Sequence, residues 1–230
     1  MSGGIFTVSG LKKKLFMGSL FFHRLFARAL GRDVYVVGKY AYSLSDYEPR
    51  SATLELMSRE VYRYGVEGNT AELGVYRGDF AKLINHYFPD RKLYLFDTFE
   101  GFDQRDAEAD RAGKFSSGTQ DFSQTSEKLV LSKMERPENC IIRKGWFPDT
   151  AEGIDDRFCF VSIDADLYQP ILAGLEFFYP RLNHGGVIMI HDFNCEGYKG
   201  SRQAVKEFCN KNNIGYVCLS DGFGSAVITK

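Results

Sequence analysis

The chain has 230 residues, 44% apolar and 26% charged, with 29 basic against 30 acidic side chains. That length can bury a sizeable core as one domain, or as one domain with an added arm. The balanced charge lacks the basic excess of a nucleic-acid binder, so no nucleic-acid partner is expected. The five cysteines show no CxxC and no metal-ligand spacing, which points to reduced thiols in a cytoplasmic protein.

Residues 1–50 read as an N-terminal amphipathic arm or lid, and residues 51–230 as the main domain. In GLKKKLFMGSLFFHRLFARAL, Lys12, Lys13 and Lys14 precede an apolar stripe that includes Leu15, Phe16, Leu20, Phe22 and Phe26. His23, Arg24 and Arg28 interrupt the run, which argues against a signal peptide and against a membrane span. Two readings stay open. The arm packs on the domain or on a second subunit of a homo-oligomer, or residues 11–30 lie on a membrane surface with the lysines at anionic headgroups. Tyr35, Tyr40, Tyr42 and Tyr47 then form a polar-tipped aromatic segment that suits a sugar face or ordinary packing.

From residue 51 the pattern alternates. SATLELMSREVYRYGV has helical spacing, TAELGV is a short strand, and GDFAKLINHYF is a helix closed by Pro89. KLYLFD is a second strand. Residues 100–122 are polar and glycine-containing and read as a loop, long enough to act as a lid. SQTSEKLVLSKM is a helix, NCIIRKG and RFCFVSID are strands, PILAGLEFFYPRL is a helix, and GGVIMIHD is a fifth strand. SRQAVKEFCNKNN is a helix, and IGYVCLS with GSAVITK closes the chain as a hairpin-like pair. This alternation implies βαβ units, a mainly parallel sheet and helices on both faces. Ligands in such sheets bind beyond the carboxyl ends of the strands.

Four strands end there in chemistry: Glu72 to Gly74, Asp97, Asp164 and Asp192. Polar loops explain one or two such ends, but four on one edge poorly. Gly74 and Gly78 allow a tight turn and close approach of a ligand. Their spacing matches neither GxGxxG nor a P-loop, so no phosphate cradle is expected. Asp97, about twenty residues beyond the glycine turn, suits the two hydroxyls of a ribose. Glu72 suits a cationic ligand tail. Asp164, with Asp166 beside it, and the His191–Asp192 pair place repelling carboxylates in one cleft, which a divalent cation would relieve. Oxygen-rich donors favour magnesium, calcium or manganese, and one histidine favours manganese or iron without excluding magnesium. Asn194 is a further candidate ligand, and Asp164 or His191 can take a proton as the catalytic base. The alternative is that Asp164 merely caps a turn against which His191 packs.

The pattern E-x-G-x-x-x-G followed by Asp at the end of the next strand resembles the class I S-adenosylmethionine-dependent methyltransferases. ELGVYRGDFA, LYLFDTFEGF, KGWFPDT, SIDADLYQPILAGLEFFYPRLNHGGVIMIHDF and SRQAV look like the macrocin-type sugar O-methyltransferases, the TylF/MycF family. The resemblance covers residues 51–210. It implies a Rossmann-like fold with a mainly parallel seven-stranded sheet, a C-terminal antiparallel strand, S-adenosylmethionine, a magnesium site, and methylation of a sugar hydroxyl. By it, Glu72, Gly74 and Gly78 line the cofactor and Asp97 meets its ribose. Thr98 and Phe99 follow within D-x-F-E-G, Gly145 and Trp146 lie near the adenine, and Asp164 touches both cofactor and metal. Asp164, His191 and Asp192 fall at the metal positions. The family has two adjacent aspartates where this chain has His191-Asp192, which leaves magnesium or manganese open. Tyr198, Lys199 and Arg202 are candidates for the acceptor side. A catechol or diol acceptor is the second enzymatic reading, and a non-catalytic methyltransferase-like binding module is the third. An intact set at Glu72, Gly74, Gly78 and Asp97 argues against that third reading.

Overall fold

A computed structural model describes residues 34–37, 40–43 and 49–230 of the protein. The expected amphipathic arm at 11–30 and Tyr47 lie outside the described residues. The described chain divides into two compact units between Ala52 and Thr53. In the first, β1 (Val34–Val37) and β2 (Tyr40–Ser43) pair antiparallel with Tyr35 opposite Tyr42.

After α1 (Pro49–Arg63), the apolar runs become strands. They are β3 (Asn69–Leu73), β4 (Leu93–Asp97), β5 (Cys140–Lys144), β6 (Phe158–Ile163) and β7 (Leu182–Ile190). All five are parallel to one another. All six residues of β6, FCFVSI, are buried, as expected of a central strand covered on both faces. The C-terminal pair β8 (Val217–Cys218) and β9 (Ala226–Thr229) completes the sheet, with β9 antiparallel to β7. The order is β5-β4-β3-β6-β7-β9-β8. Strand order reverses at β3 and β6, so the loops leaving those two strands open the crevice in which such sheets bind ligands.

Helices α2 (Ala81–Tyr87), α3 (Gln104–Gly113), α4 (Glu127–Leu131), α5 (Tyr168–Arg181) and α6 (Lys199–Asn212) make the crossovers and their flanks. Leu175 and Phe178 of α5 and Val205 and Phe208 of α6 share one core with Phe96 and Ile163. Leu54 and Val61 of α1, Ile84 of α2 and Val130 of α4 share the other with Leu95 and Phe160. The two cores cover the two faces of the sheet.

One expectation is corrected: residues 100–122 are not a continuous loop, because α3 occupies ten of them. Asp103 caps it by accepting the Arg105 N–H, and Lys114 closes it in the left-handed conformation. QRDAEADRAG carries no apolar stripe. Its buried face is Asp106, Ala107 and Asp110, so hydrophobic periodicity could not reveal it. The helix expected at 123–134 is shorter, five residues from Glu127, capped by the Ser126 side chain.

Candidate active site at the carboxyl edge

Each of the four central strands ends in the same unusual way. Tyr76 after β3, Phe99 after β4, Asp166 after β6 and Asp192 after β7 all have φ between 46° and 58°. Non-glycine residues enter this left-handed region at a cost and persist where the surroundings hold them there. Among the described residues the other two such positions, Lys114 and Asn213, are helix C-caps.

At the β6 and β7 ends, His191 Nδ1 lies 3.0 Å from Asp164 Oδ1 and 3.2 Å from Asp192 Oδ2. One donor atom from each of the three residues falls within 4.8 Å of the others. Two carboxylates and an imidazole at that separation suit a divalent cation with oxygen and nitrogen ligands. Asp166 adds a carboxyl that hydrogen-bonds to Asp192. Burial first, then the charges of Asp164 and Asp192, hold it well above the usual carboxylate range. The Asp166 carbonyl accepts from Ser201 Oγ at 3.0 Å, which pins the turn to the start of α6. Asn194 does not join the cluster through its amide oxygen, which bonds to Arg202 Nη2. Arg202 also donates to the Phe193 carbonyl.

Glu72 is buried at the end of β3, with Ser162 Oγ 3.5 Å from its Oε1. Gly74 and Gly78 each have a reason within the chain itself. A Cβ at Gly74 would stand 2.0 Å from the Asp164 carbonyl oxygen, and one at Gly78 would meet Val130 and Met134 side chains. Asp97 is committed as well. Its Oδ2 accepts the Val75 and Tyr76 N–H groups at 2.7 and 2.8 Å, and its Oδ1 accepts that of Phe99 at 2.6 Å. A carboxylate offers about four acceptor positions, and loop N–H groups take three of them here. Thr98 Oγ donates to the Gly101 carbonyl at 2.5 Å and shapes the turn after β4. The Gly145 N–H donates to the Asp97 carbonyl at 2.9 Å, which sets Trp146 beside the β4 end.

Residues 114–125 reach across this edge. Phe122 packs edge-on against both Tyr76 and Phe102, and Phe102 meets Tyr198. The Tyr198 hydroxyl donates to Gln120. Tyr198 is buried, and desolvation with the nearby Asp166 and Asp192 charges pushes its phenol far up. Lys199 is exposed and pairs loosely with Glu196 at 3.8 Å. Opposite them, Phe223 at the β8–β9 turn sets its ring edge-on to His191, with 6.0 Å between centres.

Sequence reasoning missed α3 and its acids. Asp106 accepts the Trp146 indole N–H at 3.0 Å, and Asp110 accepts the Tyr168 N–H at the start of α5 at 2.9 Å. The available signal was two aspartates four apart behind the capping Asp103. Burial pushes the Asp106 carboxyl from 3.8 up to about 6. The folded protein therefore binds the proton more tightly than the unfolded chain. The stability this contributes is fully present below pH 3.8 and is lost as pH rises through about 6. Asp106→Asn keeps an oxygen for the indole and removes the charge. It is expected to stabilise the protein by about 1 kcal/mol at neutral pH, after solvent screening and the weaker hydrogen bond to the indole are allowed for, and to have little effect near pH 4. Urea denaturation of both forms at the two pH values reads the difference directly.

Strand reversal between β3 and β6, the antiparallel β9 and a ligand edge rich in carboxylates define a class I methyltransferase fold. Among solved structures the chain resembles the O-methyltransferase NovP, with a TM-score of 0.65, 20% identity and 79% of each chain covered. It is 28% identical over 200 residues to the 8-demethyl-8-(2,3-dimethoxy-alpha-L-rhamnosyl)-tetracenomycin-C 4'-O-methyltransferase of Streptomyces olivaceus, covering 81% of this chain and 74% of that one. It is 29% identical over 167 residues to the mycinamicin III 3''-O-methyltransferase of Micromonospora griseorubida, covering 66% of this chain and 64% of that one. The model of the macrocin-O-methyltransferase (TylF) family matches residues 22–219. The chain belongs to that family and is an S-adenosylmethionine-dependent O-methyltransferase.

Proposed function

We propose that the enzyme methylates a sugar hydroxyl of a glycoside, a nucleotide sugar or a polysaccharide precursor, with a divalent cation held by Asp164, His191 and Asp192. The observation that carries the reading is the carboxylate–imidazole cluster of Asp164, His191 and Asp192 beyond the ends of β6 and β7. The tetracenomycin relative, whose name places a rhamnosyl group on its substrate, supports a sugar acceptor. Magnesium suits the carboxylates, and His191 admits manganese. A cation bound there would act as a Lewis acid that lowers the acceptor hydroxyl's pKa.

The chain's own residues supply the rest. Glu72 and Asp97 present carboxylates to a ligand with a cationic amino-acid tail and ribose hydroxyls, and no phosphate cradle is needed. The acceptor oxygen attacks the methyl carbon in line with sulfur. The C–O bond forms as the C–S bond breaks, and the electron pair stays on sulfur to give S-adenosylhomocysteine. The hydroxyl proton passes to the Asp164–His191 pair. Segment 114–125, held by Phe122 and Gln120, is placed to act as a lid over the edge.

We place the methyltransferase domain at residues 51–230 and the arm at 1–50, a division supported by the break between Ala52 and Thr53. The arm is proposed to contact a second subunit or a membrane surface through residues 11–30. No helix among the described residues is long and apolar enough to cross a membrane. The reduced-thiol composition supports a cytoplasmic location.

The test is calorimetric titration of S-adenosylhomocysteine into the full chain. Asp97→Ala is expected to weaken binding at least about tenfold, because the variant loses a ligand acceptor and frees three loop N–H groups. Unchanged affinity would refute the ribose assignment.

A further inference from the structure

Trp146 is the chain's one tryptophan, and α3 holds it from two sides. Its indole N–H donates to Asp106 Oδ2 at 3.0 Å, and the Arg105 guanidinium carbon stands 3.8 Å from the ring centre. Arg105 is fixed in turn by Asp103, which accepts its Nε and Nη2 at 2.8 Å each. One ring face and the ring's one polar atom are therefore committed to α3. Gly145, just before the ring, is tied to the Asp97 carbonyl, so the indole is placed relative to the β4 end as well.

Asp106 is only 6% exposed, and among the described residues Trp146 is the group that hydrogen-bonds it. Asp103, Arg105 and Asp110 are the charges that bear on it. A buried carboxyl whose side chain is held by the indole N–H serves to fix that ring in place. One turn along the same face, Asp110 holds the N-terminus of α5, which begins just after the Asp164–Asp166 turn. A single helix thus grips the aromatic residue at one end of the edge and the acidic turn at the other.

We propose that Asp106 is a positioning residue for the cofactor: its hydrogen bond fixes the Trp146 ring as the wall against which the adenine lies, so that cofactor affinity depends on α3 being formed. This rests on the reading that S-adenosylmethionine binds beside Gly145 and Trp146. A free indole would rotate about its side-chain bonds and lose part of the stacking energy to ordering. The Asp106 bond removes that freedom in advance.

The test is a double-mutant cycle read by calorimetric titration of S-adenosylhomocysteine at neutral pH into the full chain. Asp106→Ala and Trp146→Phe are each expected to weaken binding about tenfold, and the double variant no more than either one. Asp106→Asn, whose amide oxygen still accepts from the indole, is expected to stay within about threefold of the parent. The indole emission of ligand-free Asp106→Ala should shift from that of the parent, and that of Asp106→Asn should not. Parent-like affinity in Asp106→Ala, or fully additive losses, overturns the proposal. If Asp106→Ala does not fold, equal affinities of the parent and Trp146→Phe overturn it. A parent that binds no S-adenosylhomocysteine overturns the cofactor reading together with this one, whereas a binding parent with unaffected variants overturns this one alone.

Discussion

Gly74→Ala is expected to remove about 4 kcal/mol or more of stability, in the range reserved for a few severe mechanisms. The added Cβ would stand 2.0 Å from the Asp164 carbonyl oxygen and 2.5 Å from its carbon. Neither side can yield cheaply. The Asp164 N–H donates to the Leu73 carbonyl at 2.7 Å, and the Gly74 N–H donates to the Phe96 carbonyl at 2.9 Å. Moving either backbone breaks the ladder between central strands. The φ of 85° adds about 1–2 kcal/mol of strain for any side chain. Gly78→Ala makes the control. Its φ is 75°, but its Cβ would meet Val130 Cγ1 at 3.0 Å and Met134 Cε at 3.2 Å, side-chain atoms that can turn aside. A loss of about 1–2 kcal/mol is expected there. Denaturant midpoints compare the two, and a Gly74→Ala protein no weaker than Gly78→Ala would show that the β3–β6 crossing tolerates a side chain. Any folded fraction should also be inactive, because displacing the Asp164 backbone moves its carboxylate away from His191.

The strands and the site were legible for different reasons. β6 and the second half of β7, VIMI, are apolar runs bounded by polar residues, so their burial and their chemical ends could both be read. Asp164, His191 and Asp192 were legible because burying like charges together needs a physical explanation, and the sheet does bring them together. The glycines were legible as turn formers but not in their cause, since the backbone that excludes a Cβ at Gly74 lies ninety residues away. Asp97 was legible as a carboxylate at a strand end. That three loop N–H groups would claim it depends on a conformation with Tyr76 and Phe99 at positive φ, which no local propensity favours. α3 was illegible because its buried face is polar. Asp106 and Asp110 look like solvated charges until Trp146 and the Tyr168 N–H arrive from elsewhere in the chain.

Asp192→Asn separates a metal centre from a polar cluster held together by its own hydrogen bonds. Asn tolerates the left-handed conformation at this position and keeps a side chain that can bond Asp166. The substitution also removes a charge from beside Asp164 and Asp166, so the ligand-free variant should be at least as stable as the parent. The difference should appear when a cation is added. For the parent, magnesium at about a hundred times its dissociation constant is expected to add about 2.7 kcal/mol, or roughly 5–10 °C in melting temperature for a unit of this size. For Asp192→Asn, which has lost one of its two anionic ligands, the shift should fall to about 1 °C or less. Affinity for S-adenosylhomocysteine without metal should not change, because Asp192 lies at the β7 end and not on the β3–β4 side. Methyl transfer should be lost, since the hydroxyl is then neither activated nor aligned. A magnesium shift that survives in Asp192→Asn would refute Asp192 as a ligand, whereas a parent that shows no shift would leave the Asp164–His191 pair as a metal-free base.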